Sequence, residues 1–221
     1  MSGRIVIIPG DALLDKYPEG VPMREAMITG PCEREVFSPS FLATRAAWHR
    51  ETLDDYKQKV FSILPPEEQL KNNELTLVFG HEAFCQINLL TILAYLSQIG
   101  RQKEATISLI DEFKSNAPVR SFAFSAWENV KIWYETLLIG KRAFKSDPAL
   151  WPELKKAAAL YLLLREEQNE ITDIIDENPN LSENALVRLL LSWDKDYGLS
   201  DDIFLSLIRT RRAQTKKANL G

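Results

Sequence analysis

The chain has 221 residues, 45% hydrophobic and 26% charged, enough to bury a sizeable core in one large domain or two small ones. Its net charge of −4 disfavours a broad nucleic-acid-binding surface. No apolar run is long enough for a membrane span, so no membrane partner is expected.

Arg4–Ile8 reads as a strand, stopped by Pro9-Gly10, with Asp11 at its carboxyl end. Residues 12–24 contain Pro18, Gly20 and Pro22 and predict a loop or a short helix. Residues 25–28 predict a second short strand, closed by Gly30-Pro31. From 40 to about 64 the spacing of Phe41, Leu42, Trp48, Leu53, Tyr56, Val60 and Phe61 predicts a helix, ended by Pro65-Pro66. Residues 75–79 predict a buried strand, and a helix follows from Glu82 to about Gln98. After the turn at Gly100, residues 106–110 predict another strand. This order fits a parallel sheet with crossover helices.

Beyond Asn116 no run reads as a strand. Residues 121–143 form an aromatic-rich helical stretch with Phe122, Phe124, Trp127 and Trp133. Pro152 opens a helix running toward Ile175, and Asn178-Pro179 breaks the chain. Ser182 and Ser200 are N-caps for two last helices. The expected architecture is therefore an α/β domain over 1–115, with a small, mostly parallel sheet. An all-helical C-terminal unit over 116–221 packs on or beside it. The strand-like IVIIPG near the N-terminus follows no basic leader or cleavage site. That predicts a cytoplasmic protein whose Cys32 and Cys85 are reduced thiols, not bonded to each other.

The segment LTLVFGHEAFCQIN, residues 75–88, carries most of the functional signal. It places His81, Glu82, Cys85 and Gln86 where a strand ends and a helix begins, and ligands of open α/β sheets bind beyond the carboxyl ends of strands. Asp11 follows the first strand in the same way. If the two strands are neighbours, Asp11 and His81 share a crevice as an acid/base pair. The plainer alternative is that Asp11 caps a turn and His81 caps the following helix. Arg45, near the start of a long helix, could clamp an anion, or could pair on the helix surface with Glu51 or Asp55. Gly10, Glu82 and Gln86 complete the candidate ligand-binding set, with the helix N-terminus aiming its amides at an anion.

His81 and Cys85 are spaced four apart, but a buried, inert thiol is the favoured reading of Cys85. No Cys-x-x-Cys, His-x-x-x-His, GxxxxGK[ST] or GxGxxG pattern occurs, so no metal site is expected and no cofactor is identified. Arg209, Arg211, Arg212, Lys216 and Lys217 make a basic end, read either as a solvated terminus or as the arm of a helix-turn-helix.

Gly10-Asp11, Gly30-Pro31, Arg45 and the segment from Val78 to Asn88 come in an order that resembles the bacterial domain-of-unknown-function 1835 family. In that family a first strand leads to Gly-Asp-Ser. A Gly-Pro follows, then a helix with an Arg near its start, then a segment close to Trp-Phe-Glu-His-Asp-Leu-Phe-Cys-Gln-Val-Asn. The resemblance covers the N-terminal half, implies an α/β fold there and favours Arg45 over Arg50. Ala12, Gly80 and Glu82 depart from the family's usual Ser, acidic residue and Asp. The family carries no established activity. The functional expectation is a small anionic ligand, a nucleotide or other phosphate compound, at the carboxyl edge of the sheet. The alternative is a non-enzymatic regulatory or adaptor protein whose helical unit binds a protein or nucleic acid.

Overall fold

Three largely apolar strands form the centre of a five-stranded sheet, in a computed structural model that describes residues 3–111 and 118–218. Strands β1 (Arg4–Ile8), β3 (Glu74–Gly80) and β4 (Ala105–Ile110) pair in parallel, with Ile5 opposite Leu75 and Leu77 opposite Ile107. β1 is apolar on both faces from Ile5 to Ile8, as a buried parallel strand requires, while Thr76, Thr106 and Ser108 make one face of β3 and β4 more polar. Strand β2 (Val21–Pro22) lies parallel on the outer side of β1, and β5 (Pro118–Phe124) lies antiparallel beyond β4. The spatial order is β2-β1-β3-β4-β5. The fold is α/β with a mostly parallel sheet and a set of C-terminal helices, as expected.

Two strands differ from the sequence reading. Residues 25–28 do not form a strand. Their backbone is held by a side chain instead: Asn88 Nδ2 donates to the Glu25 carbonyl at 2.5 Å, and the Met27 amide donates to Asn88 Oδ1 at 3.0 Å. One buried amide thus supplies both bonds that a neighbouring strand would give. The short strand is Val21–Pro22, continued by a bond from the Met23 amide to the Ile8 carbonyl at 2.8 Å. The second difference is β5, which takes the first residues of the stretch read as helical. Phe122 and Phe124 pack against Trp151 while Ser121 and Ala123 are exposed. That alternation has the period of a strand.

The expected helix over 40–64 is two pieces. α1 (Pro39–His49) is capped by the Ser38 side chain and stops at Arg50, whose φ of 58° is left-handed. α2 (Leu53–Tyr56) restarts on a Thr52 cap and runs into a π-helical turn at Lys57–Phe61. α3 (Glu67–Asn72) leads into β3. The central helix α4 (Ala83–Gln98) is buried nearly all round, between the sheet on one side and α5 (Trp127–Tyr134) and α6 (Pro152–Leu163) on the other. The helix expected from 152 to 175 breaks after Leu163. α7 (Glu170–Glu177) begins afresh on an Asn169 capping box with Thr172. α8 (Glu183–Trp193) and α9 (Asp201–Ala218) start at the expected caps: Ser182 accepts from the Ala185 amide and Ser200 from the Ile203 amide.

One hydrophobic core runs from Ile7, Leu77 and Ile107 on the sheet through α4 to Tyr161, Leu186 and Phe204 in the C-terminal helices. The helical unit therefore packs onto the sheet layer. The expected domain boundary at 115/116 lies outside the described residues. Among those described, no helix is long and apolar enough to cross a membrane.

Candidate functional site

The chain leaves β1 toward β2 on one side and leaves β3 toward β4 on the other. The carboxyl ends of β1 and β3 therefore form a topological switch point, the place where open α/β sheets bind ligands. A cavity of about 300 Å³ lies there. Pro9, Gly10, Asp11, Ala12 and Leu13 line it from the end of β1, and Glu82, Phe84 and Cys85 from the start of α4. Leu191, Asp194, Gly198, Leu199 and Ser200 close it from α8 and the α8–α9 connection.

Three of the expected site residues meet in this cavity: Gly10, Asp11 and Glu82. The Asp11 carboxylate also accepts a bidentate pair from Arg24, at 3.0 Å from Nε and 2.8 Å from Nη2. Glu82 is the N-cap residue of α4 but is 3% exposed, and its side chain makes no cap bond to that helix. His81 is not a lining residue. Its Nδ1 lies 3.3 Å from the Ile110 carbonyl and 3.5 Å from Glu82 Oε1. The imidazole thus borders the cavity through Glu82. The carboxylate beside His81 is Glu82, where the sequence reading supplied Asp11.

The α8–α9 connection is the part of the site that sequence did not announce. Asp194 shapes it by accepting the amides of Asp196, Tyr197 and Leu199 at 2.8–3.1 Å. Gly198, at φ +66°, lets the loop press on Glu82, where an added Cβ would come within 2.8 Å of Glu82 Cβ. The loop carbonyls of Asp196 and Tyr197 accept the Ala83 and Phe84 amides of α4, both at 2.8 Å. These are the helix N-terminal amides expected to face an anion, and they are already bonded. Lys156 ties the loop to α6 through Asp196 at 2.5 Å.

Two further expected ligand residues, Arg45 and Gln86, do not line the cavity. Arg45 is fully buried and does not reach the cavity; its partner is neither Glu51 nor Asp55 but Glu25. Nη2 lies 2.5 Å from Glu25 Oε1, and Nη1 donates to the Thr29 and Pro31 carbonyls at 2.8 and 3.1 Å. The same carboxylate is bonded by His49 Nε2 at 2.9 Å, by the Tyr56 hydroxyl and by the Ala26 amide at 2.7 Å. Burial alone would raise the Glu25 pKa. The bonds from His49 and Arg45, the Arg45 charge and the Tyr56 hydroxyl outweigh it and hold the carboxyl at about 2. Gln86 is also fully buried: Nε2 donates to the Gly80 carbonyl at 2.6 Å and Oε1 accepts from Trp151 Nε1 at 2.7 Å. It joins the end of β3 to the Trp151 side chain at the start of α6. With Arg45 and the two amides committed elsewhere, the cation and donors expected to hold an anion are not in the cavity.

No disulfide joins Cys32 to Cys85. Cys85 is buried, as its apolar neighbours implied, and burial pushes the Cys32 thiol up from its ordinary pKa. Among the described residues, no cluster of three or more His, Cys, Asp or Glu side chains could hold a metal. The basic end is bonded within its own helical unit. Arg209 pairs with Glu183 at 2.9 Å, Arg211 with Asp176, and Arg212 donates to the Leu181 carbonyl at 2.5 Å. The side chains of Lys216 and Lys217 lie outside the described residues.

Comparison with protein-family models, with curated proteins and with solved structures finds no match. The site is read from its geometry.

Proposed function

We propose that this protein binds a small organic molecule in the cavity between the carboxyl ends of β1 and β3. The observation that carries the reading is the cavity's place at the switch point, lined by the residues that directly follow both strands. The lining favours a ligand with amine or hydroxyl donors. The charged lining residues are Asp11, Glu82 and Asp194, with no Lys or Arg among them; Asp11 is paired with Arg24 and Asp194 accepts three loop amides. Leu13, Phe84 and Leu199 offer an apolar wall for the rest of the molecule. Glu82 takes the acid/base role that the sequence reading gave to His81, with His81 as its neighbour. The resemblance to the domain-of-unknown-function 1835 family adds no activity to this reading.

The test is a thermal-shift comparison, because a ligand of the native state raises the melting temperature. Putrescine, spermidine, adenosine and cytidine represent donor-bearing compounds; ATP and glucose 6-phosphate represent anions. The reading predicts stabilisation by at least one of the first four and by neither anion. Stabilisation by the anions alone would overturn the charge assignment. No stabilisation by any of the six would remove the support for a ligand site.

A further inference from the structure

Parallel sheets are found almost only with both faces covered. Here the helices cover one face, the one carrying Ile7, Leu77, Phe79 and Ile107. On the other, Leu13, Leu14 and Tyr17 pack with Val6, Ile8, Val78 and Ile110 toward the carboxyl end. Toward the amino end this face is open among the described residues. Thr106, Ser121 and Ala123 are exposed there, and Thr76 is half-buried. Ser121 belongs to this face because its hydroxyl lies 3.1 Å from that of Ser108.

A groove of about 360 Å³ crosses this open half, with Thr76 and Thr106 in it. Four charged residues rim it: Arg4 and Lys103, Glu74 and Glu104. Arg4 donates to the Thr76 hydroxyl at 3.4 Å and Lys103 to the Asn72 carbonyl at 3.3 Å. Among the described residues none of the four has an ion-pair partner. A patch with two cations and two anions repels part of any partner carrying a single sign. It can match itself, since an isologous two-fold contact sets one patch against its own copy. Small side chains also let two sheets approach to the roughly 10 Å at which sheet faces stack.

We propose that this sheet face is the contact between two copies of the chain, with Arg4 and Lys103 of one copy meeting Glu74 and Glu104 of the other. The proposal is independent of the ligand site, which lies at the opposite end of the strands.

Sedimentation velocity over a range of protein and salt concentrations tests it. The native chain dimerises, and more weakly as salt rises. The double variants R4E/K103E and E74K/E104K each weaken dimerisation by about tenfold or more. An equimolar mixture of the two restores a mixed dimer, identified by mass. Thr106→Arg, an exposed change, weakens it too. Circular dichroism checks that each variant is folded. A native chain that stays monomeric at every concentration overturns the proposal. So do charge variants that dimerise like the native chain, or a mixture that stays monomeric.

Discussion

The Arg45 guanidinium lies 2.5 Å from the Glu25 carboxylate, and neither side chain reaches solvent. This pair, with His49 and Tyr56 around it, anchors the C-terminal half of α1 to the segment after β2. Removing one partner leaves a buried charge without compensation, which costs about 3–5 kcal/mol. Arg45→Met is therefore expected to lower stability by that amount in urea unfolding, while ligand binding in the cavity is unchanged. A loss under about 1 kcal/mol would mean the pair contributes no more than a surface bridge.

The same carboxylate sets an acid limit on the fold. Its folded pKa, about 2, lies below the ordinary value of 4.5, so folding favours the ionised form. The stabilisation is fully present above pH 4.5 and is lost as pH falls toward 2. It amounts to a few kcal/mol, on the order of 1.4 per pKa unit. Glu25→Gln is expected to be less stable at pH 7 and to flatten the decline of melting temperature in this window. An unchanged slope would exclude Glu25 as the group responsible.

Asn88 holds two backbone groups of residues 25–27 from inside α4. Asn88→Leu leaves both unpaired in a buried place, at about 1–3 kcal/mol each. The amide protons of residues 26–28 should then exchange faster with solvent, with those of β1 unchanged. Equal acceleration across the sheet would point to global destabilisation instead.

Gln86 distinguishes a structural role from a ligand role. Gln86→Leu removes the acceptor for Trp151 Nε1 and the donor to the Gly80 carbonyl. The expected result is a loss of about 2–4 kcal/mol and a shifted tryptophan emission, with ligand affinity retained. Near-native melting with lost affinity would return Gln86 to the site.

The central strands were legible because β1, β3 and β4 are short, mostly apolar runs, with Pro9-Gly10 ending the first and Gly80 the second. Helix α4 was legible as a long apolar stretch with no breaker. β5 was missed because Phe122 and Phe124 were grouped with the aromatic helix that follows, although Ser121 and Ala123 already gave the period of two. The segment 25–28 looked like a strand, and nothing local reveals that Asn88 replaces its neighbour. The strand-end rule, which needs only local boundaries, picked out Gly10, Asp11 and Glu82, which line the cavity. Arg45 was misplaced because an arginine near a helix start reads alike as an anion clamp or a buried counter-ion. Its partner Glu25 lay in the segment misread as a strand. The closing loop at 194–200 could not be found locally, since it reaches Ala83 and Phe84 from the far end of the chain.

Gly10 offers the most direct test of the ligand site. It lines the cavity, its φ of 171° is extended backbone that any residue adopts, and an added Cβ meets nothing within 4 Å. Gly10→Phe therefore fills the cavity without straining the chain. Calorimetric titration compares the native protein and this variant, using whichever of putrescine, spermidine, adenosine or cytidine raises the melting temperature most. The expected result is an affinity lower by at least about tenfold, near 1.4 kcal/mol, in a variant that melts like the native chain when unliganded. Undiminished affinity in Gly10→Phe would place the ligand elsewhere and contradict the site at the β1–β3 edge.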